Sequence, residues 1–167
     1  EIAPALAGWM GHDAPFAMEP GYRPAMSIER MRVGTPAIVQ LAILDAALDV
    51  WEDVDMHALR DASLVLSGLF IDEVERRCPS LELASPREGS RRGSQVSFAF
   101  EHGYAAMQAL IDHGVIGDFR APDIMRFGFT PLYLDEADVV QAAETLGAVI
   151  NQDLWRHAKC PARSLVT

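Results

Sequence analysis

The sequence predicts an α+β fold, a small antiparallel or mixed sheet with helices on one face. Two observations carry it: the order of local patterns after residue 80 reads strand, strand, helix, strand, strand, helix, and two long helical periodicities precede them. A third is size, since 167 residues, half of them hydrophobic, suit a single core.

Residues 1–35 are rich in Gly, Pro and aromatics and sustain neither a helical nor an alternating period, so they read as a long ordered loop or arm. Thr35 as N-cap and Pro36 at the first helical position open a helix over about 36–52, with Ile38, Leu41, Leu44, Leu48 and Trp51 at helical spacing. Asp55 caps a second, whose stripe of Leu59, Ala62, Leu66, Leu69, Phe70 and Val74 ends before Pro79. Leu81–Ala84 and Val96–Phe100 read as strands around a Ser/Arg/Gly-rich turn. Tyr104–His113 is helical, and Val115–Phe119 and Ile124–Phe129 are strands. The last helix starts at Asp135-Glu136, acidic residues suited to a helix N-terminus, and runs past Ile150.

Composition removes several classes of function. A formal charge of −10 repels nucleic acid and anionic lipid, so neither is an expected partner. The longest apolar stretch, 36–51, contains Gln40, Asp45 and Asp49, which a bilayer core penalises. Cys78 and Cys160 form no CxxC pair, and His12, His57, His102, His113 and His157 show no ligand spacing, so no metal site is expected. Two free thiols fit a reducing cytoplasm. The start has no initiator Met and no secretory signal, and Glu1 reads as a cut end.

Three places offer chemistry. Gly34-Thr35-Pro36 is either an ordinary capped helix or a seat for an anion, because a glycine before free helical N–H groups lets a phosphate approach. In Gly8-Trp9-Met10-Gly11-His12 the Trp9 indole either donates to a phosphate or packs as a hydrophobic plug. Arg126 interrupts the apolar run Ile124, Met125, Phe127, Phe129, where it either forks onto a carboxylate or marks the wet face of a strand. Arg120 is expected to pair locally with acidic groups. Schiff-base chemistry needs a lysine in a desolvated site, and the only lysine, Lys159, lies in a polar tail. No catalytic residue is therefore assigned in this chain.

The ordered set of these motifs resembles the C-terminal part of kynureninase, a pyridoxal-phosphate enzyme of the aspartate-aminotransferase fold type. The set comprises GWMGH at 8–12, Phe16-Ala17-Met18 through Tyr22 and Pro24, and Ile28-x-Arg30 leading to Gly34-Thr35-Pro36. It continues with Leu48-Asp49-Val50, Arg92-Gly93-Ser94, Val96-Ser97-Phe98 and Gly103-Tyr104-Ala105. The most specific stretch is GVIGDFRAP at 114–122 followed by MRFGFTPLY at 125–133, and the whole covers about residues 8–150. Family members often carry Pro or Gln at the position of Ala37, and His at that of Gln95.

The resemblance implies hydrolysis of the Cβ–Cγ bond of L-kynurenine, or its 3-hydroxy form, to an anthranilate and L-alanine, in tryptophan catabolism and NAD biosynthesis. Residues 1–35 would be an arm from the large domain and dimer interface, and 36–167 the small C-terminal domain with its linking helix. Trp9 and Thr35 would contact the phosphate of pyridoxal 5'-phosphate across the interface of a cytoplasmic homodimer. Arg126 would bind the substrate carboxylate and so fix rotation about the Cα–N bond. The Schiff-base lysine would lie upstream of Glu1, leaving this chain inactive alone. Two other readings keep the motifs in play: the small domain of a cysteine desulfurase or aminotransferase, and a non-catalytic α/β interaction module.

Overall fold

A computed structural model describes residues 5–158. Lys159 and Cys160 lie outside the described residues. By contacts the chain divides into one unit ending at Val54 and another beginning at Asp55.

The first unit is mostly irregular, as its Gly and Pro content dictates. Short 3-10 turns at Trp9–Gly11 and Ser27–Met31 and a single bridge between His12 and Pro24 are its ordered points before residue 38. The glycines of the GWMGH run are there for clearance: a Cβ on Gly8 would lie 1.7 Å from the Val33 carbonyl oxygen, and one on Gly11 would lie 2.6 Å from that of Arg30. Helix α1 spans Ile38–Leu48 and continues as a 3-10 turn over Asp49–Trp51. It starts two residues later than Pro36 predicts, with Ala37 in the N-cap position and no side-chain cap. Thr35 is therefore not the cap, because it stands two residues before the N-cap position, too early to reach the first free amides.

The second unit has an antiparallel four-stranded sheet, its strands lying in the order first, second, fourth, third, with two helices on one face and a third packed against both of these. Helix α2 (Met56–Arg77) is capped by Asp55, whose carboxylate accepts from the amides of His57 and Ala58 at 2.8 and 3.4 Å. Strands β1 (Glu82–Leu83) and β2 (Gln95–Ala99) enclose a loop pinned to α2. Arg60 donates to the carbonyls of Gly89 and Arg92, each at 2.7 Å, and Ser63 and Ser94 share a 2.7 Å hydroxyl contact. Helix α3 (Gly103–Asp112) leads to the hairpin β3 (Asp118–Arg120) and β4 (Ile124–Gly128). Helix α4 (Glu136–Asn151) opens with a capping box between Asp135 and Asp138.

One strand differs from expectation. Residues 115–117 stop α3 instead of starting β3: Gly114 takes φ +85°, its amide donates to the Ile111 carbonyl, and that of Val115 donates to Leu110. This paired closure satisfies the last helical carbonyls and postpones the strand to Asp118.

Alternation splits the sheet cleanly. Val96, Phe98, Phe119, Met125 and Phe127 are buried on the helical side. There Phe70 of α2 meets Phe98, Phe127 and Phe129 with ring centroids 6.1, 4.9 and 5.3 Å away. Gln95, Ser97, Asp118, Arg120 and Arg126 alternate with them and so occupy the opposite face.

Candidate functional site

Arg126 stands in the centre of β4 on the helix-free face, opposite Ser97 of β2 and Asp118 of β3. Its Nε donates to Asp118 Oδ1 at 2.5 Å, and its Nη2 donates to Oδ2. The guanidinium side chain remains 28% exposed, so it is reachable from solvent while held. The Arg126 hydrogen bonds hold the Asp118 carboxyl below the usual carboxylate range, against a burial effect that raises it. Arg120 behaves as expected of a locally paired group, with Nη2 3.3 Å from Asp118 Oδ2. Gln95 donates to Ser97 Oγ at 3.3 Å beside this pair.

Asp118 was not singled out from sequence. The signal was the hairpin itself: Asp118 and Arg126 are symmetric about the turn at 121–123, the ladder pairing Arg120 with Ile124 and Asp118 with Arg126.

In the first unit the Trp9 indole is half exposed and meets Phe16 edge-on, with centroids 5.7 Å apart. It is therefore not a buried plug. Among the described residues neither the Trp9 indole N–H nor the Thr35 hydroxyl has a hydrogen-bond partner. At the start of α1 the first helical bond runs from the Leu41 amide to the Ala37 carbonyl, so the amides of Ile38, Val39 and Gln40 are uncapped. These are neutral donors of the kind that receive an anion.

His12 lies beside Trp9 in a depression of about 230 Å³ that Glu19 and Tyr22 also line. The amide of Ala14 donates to its Nδ1 at 2.9 Å, which leaves the ring proton on the buried Nε2. Tyr22 donates to the Gly11 carbonyl at 3.1 Å and completes the tie between the two ends of this loop.

Other candidates are structural. His102 stacks on Trp155 at 4.2 Å, and the Nδ1 of His113 meets the Ala109 carbonyl at 2.7 Å. Cys78 is fully buried, which pushes its thiol pKa up and makes it unreactive. Among the described residues no cluster of three or more His, Cys, Asp or Glu is arranged to hold a metal, and no helix is long and apolar enough to cross a membrane.

Comparison with known proteins gives the family. The kynureninase C-terminal domain family matches residues 59–146, more than half of the chain. The chain belongs to that family. It is 49% identical over 164 residues to the kynureninase of Pseudomonas fluorescens, covering 97% of this chain and 39% of that protein. Kynureninases of Burkholderia mallei (strain SAVP1) and Burkholderia pseudomallei (strain K96243) are each 48% identical with the same coverage. The chain thus spans about two fifths of the length of these relatives.

The family match contains most of α2, the sheet, α3 and most of α4, and with them Arg126 and Asp118. The relatives extend the likeness through the arm, where Trp9 and Thr35 lie.

Proposed function

We propose that this chain is the C-terminal part of a pyridoxal-phosphate hydrolase that cleaves the Cβ–Cγ bond of L-kynurenine, or 3-hydroxykynurenine, to give the corresponding anthranilate and L-alanine. The observation that carries the reading is the 49% identity to a kynureninase over nearly the whole chain. Trp9 and Thr35 are the phosphate-binding residues in this reading. Both offer a donor without a partner, and the uncapped amides at the start of α1 add the same chemistry, so the residues present suit the phosphate end of the cofactor. When bound, the cofactor supplies an electron sink for the bond being broken.

Arg126 binds the α-carboxylate of the substrate. A guanidinium fork matches a carboxylate in two parallel hydrogen bonds, and that contact restricts how the amino acid rotates at its α carbon. The Schiff-base lysine is contributed by sequence outside this chain, and the complete enzyme is a cytoplasmic homodimer in which this part alone is inactive.

The test uses the full-length protein loaded with pyridoxal phosphate. Incubation with L-kynurenine and with 3-hydroxykynurenine should release anthranilate or its 3-hydroxy form together with alanine. Arg126→Gln should raise KM for whichever substrate is cleaved, while Trp9→Phe and Thr35→Ala should loosen the cofactor, read from its absorbance after dialysis. Release of sulfur from cysteine with no cleavage of either kynurenine would refute the reading.

A further inference from the structure

The β3–β4 register places Asp118 and Arg126 directly opposite each other, so their side chains leave the same face of the sheet side by side. A guanidinium carries five N–H groups in one plane. The two bonds to Asp118 use one on Nε and one on Nη2, along a single edge of that plane. The other three, two on Nη1 and one on Nη2, have no partner among the described residues. One of those on Nη1 and the one on Nη2 form the end-on edge, the one able to fork onto a second carboxylate. The Arg126 side chain is 28% exposed. A Cβ added to Gly128, two residues along the same face, would meet nothing within 4 Å. Asp118 Oδ2, which accepts from Arg126 Nη2, also lies 3.3 Å from Arg120 Nη2.

We infer that Asp118 is a positioning residue: it grips the Nε edge of Arg126 so that the guanidinium presents its end-on edge to the α-carboxylate of the amino-acid substrate. This rests on the reading of Arg126 given above. The physical reason is that a free arginine side chain spreads over many rotamers, whereas one anchored by two charge-assisted hydrogen bonds meets the ligand already oriented. One guanidinium serves two carboxylates through different edges, so the substrate need not displace Asp118.

The experiment is Asp118→Asn in the full-length, cofactor-loaded protein, with two matched ligands: L-kynurenine and the amine that lacks only its α-carboxylate. The variant should raise KM for kynurenine by about tenfold, the scale of one charge-assisted hydrogen bond lost. It should leave kcat much less affected and the dissociation constant of the carboxylate-free amine unchanged. Asp118→Glu, which restores the charge, should recover part of the loss. A merely structural role weakens both ligands alike, and a competing role tightens kynurenine; either result, or no change, overturns the inference.

A second measurement does not depend on a folded variant. In a structure of the wild-type protein with a carboxylate ligand bound, Arg126 Nε should remain on Asp118 while Nη1 meets the ligand. A guanidinium swung away from Asp118 overturns the inference. Failure of the functional reading looks different: wild-type protein then does not cleave kynurenine, or Arg126→Gln leaves its KM unmoved.

Discussion

At the scale of single residues, local chemistry identified the donors and alternation exposed Arg126, because a charged side chain between Met125 and Phe127 must point away from the core they build. Its partner was hidden by register. A strand assigned to Val115–Phe119 does not fix which residue of β4 faces Asp118, and a slip of one position sends every side chain to the other face. The pairing also has a pH signature. Since Arg126 depresses the Asp118 carboxyl in the folded protein, its contribution to stability is present above the unfolded value and lost as pH falls through the folded one. The stability difference between wild type and Asp118→Asn, from urea unfolding, should hold from about pH 7 to about pH 4 and close only below that. Closure already between about pH 7 and 5 would contradict the assigned pairing.

At the scale of elements, the sequence was most legible where a cap or a stripe is local. The Asp55 cap of α2 and the acidic start of α4 stand where they were expected. The errors lie at ends decided by backbone geometry: α1 starts at Ile38 without the Thr35 cap, and β3 waits for the closure of α3. That closure depends on Gly114 at φ +85°. Gly114→Ala has free space for its methyl group, so its cost is conformational alone, about 1 kcal/mol. Gly114→Asn should cost less, because asparagine tolerates the left-handed region better. Thermal or urea unfolding of the two variants checks the order, and an Ala variant as stable as wild type would remove this role for the glycine.

At the scale of the whole molecule, the two units differ in how they dispose of apolar surface. The second buries its stripes between α2, α3, α4 and one face of the sheet. In the first, α1 buries no residue, and Ile38, Val39 and Ile43 are 69%, 69% and 65% exposed. A patch of that kind is a contact surface or an aggregation liability. The 167-residue chain by itself should therefore self-associate and bind an apolar dye, and Ile43→Glu with Leu44→Glu should reduce both, as read by light scattering and dye fluorescence. A monodisperse, dye-silent wild-type chain would contradict this. The sequence by itself determined the kinds and order of the elements and the one-sided sheet, and it singled out Trp9, Thr35 and Arg126 as candidate donors, since period, caps and side-chain chemistry are properties of a few neighbouring residues. Only the tertiary structure decided that Asp118 holds Arg126 and that the Trp9 indole and Thr35 hydroxyl are unpartnered, since a side chain's neighbours are fixed by strand register and loop closure, which no local pattern encodes.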